Sequence, residues 1–115
     1  MAAKLANTPQ EDPADEAWVR TADGERSVRL RSLSQYLKKG GALTEARLIE
    51  SADGLWTIWF RLSDRPGEFR LNQFDYDQPK TYKDVALAIA TIRDDFGFYG
   101  TIALSTERRS SVRGA

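Results

Sequence analysis

At 115 residues, with 17 basic and 17 acidic side chains and a net charge of zero, the chain is sized for one hydrophobic core and carries no excess charge for holding a polyanion. It has neither histidine nor cysteine, so it lacks a side chain that ordinarily titrates between about pH 5 and 8, a thiol nucleophile, a soft metal ligand and any disulfide. Those absences exclude most small-enzyme mechanisms and leave stability to burial, for which three Trp, five Phe and four Tyr supply the area.

Residues 1–26 combine Pro9 and Pro13 with six acids against three bases and one large apolar anchor, Trp18-Val19. This composition predicts a disordered acidic tail. The first residues lack the apolar run of a signal peptide, and no later stretch approaches the roughly 18 apolar residues of a membrane span. A cytoplasmic protein is expected.

Ser32 is placed to cap a short helix over residues 32–39, with Leu33, Tyr36 and Leu37 at i, i+3, i+4 and Gly40-Gly41 as the stop. A strand follows over 42–50, then the turn residues Ser51-Ala52-Asp53-Gly54. In the next strand, 55–62, Trp56, Ile58, Phe60 and Leu62 share one face while Thr57, Trp59 and Arg61 share the other. Ser63-Asp64-Arg65-Pro66-Gly67 turns the chain into a third strand over 68–73. Residues 74–80 read as a loop, and Thr81 with Asp84 three positions on fits a capping pattern for a helix over 82–96 that Gly97 ends. Residues 101–104, Thr-Ile-Ala-Leu, suit a short edge strand, and 105–115 a flexible basic tail. The expected fold class is α+β: a three-stranded antiparallel meander with two helices on one face, in the order α-β-β-β-α-β. The single domain then covers 27–104.

No residue set carries a specific chemistry. The carboxylate pairs Asp75/Asp77 and Asp94/Asp95 lack the ligand number and loop spacing of a hard-cation site and read as surface acids. Gly40-Gly41 follows a helix instead of a strand, so it terminates that helix and does not cradle phosphate. Serines and threonines are present, but none has a histidine base. A non-enzymatic protein without cofactor, metal or small-molecule substrate is expected.

One surface stands out. The strand register that turns Trp56, Ile58, Phe60, Phe69 and Leu71 toward the helices collects Arg47, Trp59, Arg61 and Arg70 on the opposite face, near Thr57 and Glu45. Trp and Arg dominate protein-binding hot spots, and the same mixture can stack and neutralise single-stranded nucleic acid. An exposed Trp among arginines can also be ordinary surface, packed by cation–π contact or covered by the Trp18 segment. The flat net charge favours a protein partner or a homodimer over nucleic acid.

The order α-β-β-β-α is similar to that of double-stranded-RNA-binding domains, but those have a lysine-rich second-helix start where this chain has Thr81-Tyr82-Lys83-Asp84-Val85. The chain also resembles small ParC-like accessory proteins of plasmid partition and mobile-element gene clusters. The resemblance lies in Val28-Arg29-Leu30-Arg31-Ser32-Leu33-Ser34-Gln35-Tyr36-Leu37, Gly54-Leu55-Trp56, Lys80-Thr81-Tyr82-Lys83-Asp84 and Phe96-Gly97-Phe98-Tyr99-Gly100-Thr101-Ile102. It implies a non-enzymatic helper acting beside partition proteins, and supplies no functional residue to carry over.

Overall fold

A computed structural model of the chain describes residues 26–107. The two expected tails fall almost wholly on 1–25 and 108–115, outside the described residues. The order of elements is β1 (Ser27–Arg29), α1 (Leu30–Lys38), β2 (Leu43–Glu50), β3 (Trp56–Leu62), β4 (Glu68–Asn72), β5 (Thr81–Tyr82), α2 (Val85–Ala90), a π-helical turn (Thr91–Asp95) and β6 (Ile102–Thr106).

These elements make an α+β fold around one mixed six-stranded sheet, in which β1-β4-β3-β2-β6 lie side by side and β5 pairs with β3. The expected meander and its α-β-β-β-α-β order are therefore corrected. The antiparallel β2-β3-β4 hairpins exist, but β1 adds in parallel to β4, β6 adds in parallel to β2, and β5 takes the edge of β3 beyond β4. Sequence periodicity cannot reveal a three-residue or two-residue strand, because such a strand is specified by its neighbour's open hydrogen bonds and not by its own alternation. Strand β3 alone runs against the rest. Both crossovers, β1-α1-β2 and β5-α2-β6, connect strands of one direction and step the same way across the sheet. A common crossover hand then puts both helices on the same face.

That face is the core. Val28, Leu43, Ala46, Leu48, Ile58, Phe60, Leu62, Phe69 and Leu71 of the strands meet Leu33 of α1 and Ala88, Ile92 and Phe96 from α2 and its continuation. Phe60 and Phe69 are cross-strand partners whose rings stack at 6.2 Å. Of the face expected to point inward, Ile58, Phe60 and Leu62 are buried and Trp56 is half-buried.

Helix starts differ from expectation. Helix α1 begins at Leu30 directly from β1, with Arg29 at the cap position and no side-chain cap bond, and Ser32 is buried one turn in. Here the parallel ladder continues into the helix: the Leu30 and Arg31 backbone N–H groups donate to Gln73 and Phe74 carbonyls at 3.3 and 3.2 Å, so orphan donors are satisfied without a serine. The second helix starts at Val85, not at residue 82. Asp84 caps it by accepting the Ala86 N–H at 2.8 Å, while Thr81 and Tyr82 are drawn into β5 opposite Thr57 and Trp56. Gly97, at φ 68°, ends the helical run as expected. Strand β6 extends through Ser105 and Thr106, two residues assigned above to the basic tail.

Candidate functional site

The sheet side away from the helices is built by alternation. On β2, Glu45 and Arg47 point there; on β3, Thr57, Trp59 and Arg61; on β4, Glu68, Arg70 and Asn72. Register then sets a row across the sheet, with Arg47 opposite Trp59, Trp59 opposite Arg70 and Arg70 opposite Ser27. Arg61 lies in the next row between Glu45 and Glu68. All four expected residues, Arg47, Trp59, Arg61 and Arg70, are thus on one face.

Their charges are not left bare. Arg47 donates from Nε and Nη2 to the two carboxylate oxygens of Glu68 at 2.5 and 2.7 Å, and its guanidinium lies 5.6 Å from the centre of the Trp59 ring. The Glu68 hydrogen bonds raise the Arg47 guanidinium above its ordinary value, against burial. The Trp59 indole N–H donates to Thr57 Oγ1 at 3.0 Å, which fixes the ring's tilt. Arg61 stands 3.4 Å from Glu45 and is more open to solvent. Arg70 is buried, donates from Nε to Asn72 Oδ1 at 3.3 Å, and Asn72 in turn donates to Ser27 Oγ at 3.0 Å. The result is a tryptophan with the Arg47 guanidinium over its ring and Arg61 and Arg70 at neighbouring positions of the same face, Arg47 and Arg61 being matched by carboxylates of the sheet.

Strand alternation in the sequence already puts Glu68 and Asn72 on the side of Arg70, and the register adds that Glu68 sits opposite Arg61 and Ser27 opposite Arg70. Glu68 and Asn72 were legible as members of this surface. Ser27 was not, because β1 has no pattern of its own.

A second cluster holds the 73–78 excursion between β4 and β5. Arg29 donates twice to Asp77, at 2.9 and 3.0 Å, and Arg31 pairs with Asp75 while lying 5.5 Å from the Phe74 ring centre. Asp77 is held below the ordinary carboxylate range chiefly by its Arg29 hydrogen bond. Phe74 and Tyr76 are exposed beside an open depression of about 520 Å³ that Leu30, Lys80 and Thr81 also line. The Asp75/Asp77 pair is therefore a structural clasp to Arg29-x-Arg31, as the spacing of two in both segments allows. Asp94 and Asp95 lie exposed on the π-helical turn.

Among the described residues, no group of three or more His, Cys, Asp or Glu side chains is placed to hold a metal ion. No helix among them is long and apolar enough to cross a membrane. What the geometry offers chemically is recognition: an amphipathic aromatic surface with fixed guanidinium donors. Comparison of the chain with protein-family models, curated proteins and solved structures finds no match.

Proposed function

We propose that the chain is a non-enzymatic protein-binding module whose contact surface is the sheet face centred on Trp59, with Arg47, Arg61 and Arg70 around it. The observation that carries this reading is the two-bonded Arg47–Glu68 pair lying over Trp59. A guanidinium already matched by a carboxylate has little to gain from phosphate, whereas a rigid, partly neutralised Trp/Arg surface suits the desolvated centre of a protein contact. The setting implied by the resemblance in residues 28–104 is an ancillary role beside partition proteins of plasmids or mobile elements. The cytoplasm is the matching compartment, and no cofactor is invoked.

Trp59→Ala tests it. Self-association measured by sedimentation, or binding to a purified partition protein, should weaken by about 2 kcal/mol or more, roughly thirtyfold in affinity. Tryptophan fluorescence should stay flat on titration with single-stranded and duplex oligonucleotides at low salt. A saturable oligonucleotide signal that fades with salt would transfer the face to nucleic-acid binding. A chain whose associations ignore Trp59→Ala would have no function at this face.

A further inference from the structure

Among the described residues, β6 is the outermost strand beside β2, and β1 is the outermost at the other end of the sheet. The two edges differ in what they present. Strand β1 is three residues long, with Arg29 inside it and Arg26 before it, a short and charged edge of the kind that discourages further pairing. Strand β6 reads Ile102-Ala103-Leu104-Ser105-Thr106, five residues without charge or proline.

Register fixes which way its backbone groups point. Strand β6 runs parallel to β2, and the Glu107 N–H donates to the Glu50 carbonyl at 2.8 Å. Backbone groups alternate in direction along a strand, so Ala103 and Ser105 turn theirs to β2, as Glu107 does, while Ile102 and Leu104 turn theirs to the outer edge. Leu104 lies opposite Leu48 and so on the helix side, yet it is 51% exposed where Leu48 is fully buried. The middle residue of the strand therefore joins an outward N–H and C=O to an apolar side chain at the rim of the core.

The geometry points to a second copy of the chain as the occupant of this edge, the two β6 strands pairing antiparallel about a two-fold axis through Leu104. Symmetry selects the occupant. With Leu104 opposite its own counterpart, the two residues exchange both backbone hydrogen bonds at a Cα separation of about 5.5 Å, and each exposed leucine covers the other on the helix side. The paired stretch holds no charge, and the two Glu107 carboxylates fall at its opposite ends. Because β1 does not repeat this edge, pairing closes at a dimer instead of growing into a filament. The axis is perpendicular to the sheet, so both Trp59 surfaces come to one side of one continuous sheet, five strand spacings or about 24 Å apart. A partner for that doubled surface rests on the protein-binding reading above; the edge pairing does not.

Sedimentation of the full-length chain should show a monomer–dimer equilibrium with a dissociation constant on the order of 100 µM, as suits a contact this small. Leu104→Lys and Leu104→Glu each set like charges across the axis and should weaken the dimer by roughly tenfold or more, whereas an equimolar mixture of the two variants should regain association at low salt and lose it at high salt. Oxidative crosslinking gives an independent readout. The chain has no native cysteine, and the expected Cα separation suits a disulfide, so Leu104→Cys should form a covalent dimer several times faster than Leu87→Cys, a comparably exposed site on α2. A chain that stays monomeric at about 1 mM, equal crosslinking at the two sites, or a mixture no more associated than its components overturns the edge pairing. A dimer lost on Trp59→Ala but kept on Leu104→Lys overturns it as well, and assigns self-association to the Trp59 face. A dimer lost on Leu104→Lys and indifferent to Trp59→Ala supports the edge, and leaves the face to be judged on partner binding alone.

Discussion

Arg47 and Glu68 belong to strands that are not neighbours, so their hydrogen bonds of 2.5 and 2.7 Å span the whole width of β3. The residue beneath that span is Trp59, directly opposite Arg47 in register. Three strands are thereby tied on the side away from the core, and the indole has the Arg47 guanidinium over its ring while its N–H is held by the Thr57 hydroxyl. A surface aromatic held in one orientation loses little conformational freedom on binding, which favours its use as an anchor.

The strength of the clamp follows from its exposure. The side chains of Arg47 and Glu68 are 40% and 26% exposed, so water screens much of their attraction. A double-mutant cycle with Arg47→Met and Glu68→Gln should give a coupling energy of about 0.5–1 kcal/mol in urea unfolding, shrinking as salt is added. A coupling above about 2 kcal/mol, insensitive to salt, would mean that the pair is sealed from water.

The two faces of β3 should respond differently to truncation. Phe60 is fully buried and stacks on Phe69, so Phe60→Ala should cost roughly 3–5 kcal/mol through lost transfer energy and the cavity left behind. Trp59, on the half-buried outer face, should cost clearly less on the same change. Equal losses in chemical denaturation would contradict the register.

That register was legible in the sequence because β2, β3 and β4 are long enough for their alternation to be read, and Asp53-Gly54 marks the turn that fixes their pairing. Trp59, Arg61 and Arg70 could therefore be placed together from residue order alone. Strands β1 and β5 were not legible: Ser27–Arg29 and Thr81–Tyr82 are too short for a period, and each exists because β4 or β3 presents an unpaired edge. Their absence from the expectation hid Ser27 as a neighbour of Arg70 and mistook Thr81 for a cap. The clasp of Arg29 and Arg31 on Asp77 and Asp75 was hidden for the same reason, since β1 is what brings those arginines beside the excursion.

The clasp carries a pH dependence with a definite sign. Arg29 holds the Asp77 carboxyl below its ordinary value of about 3.9, so as pH falls the unfolded chain takes up this proton before the folded one does. Its stabilisation is complete above about pH 4 and disappears as pH drops through the lowered folded value. Because the Arg29 and Asp77 side chains are 38% and 47% exposed, the contribution at neutral pH should be under about 1 kcal/mol. Asp77→Asn should lower the urea midpoint at pH 7 and leave it nearly unchanged at about pH 2. A difference that persists undiminished at the lower pH would point to lost packing instead of lost charge.

The start of the second helix separates the two capping assignments. Asp84 has extended backbone angles and its Oδ1 accepts the Ala86 N–H at 2.8 Å, which satisfies one of the first-turn donors of α2. Asp84→Ala should therefore destabilise the fold by about 1 kcal/mol, whereas Asp84→Asn or Asp84→Ser, which keep an acceptor, should recover most of it. Thr81→Ala acts on a two-residue strand at an exposed position and removes no cap, so its effect should stay within about 0.5 kcal/mol. Thermal unfolding of the four variants orders them directly. If Thr81→Ala proved the more damaging change, the helix would begin a turn earlier and β5 would not be a strand.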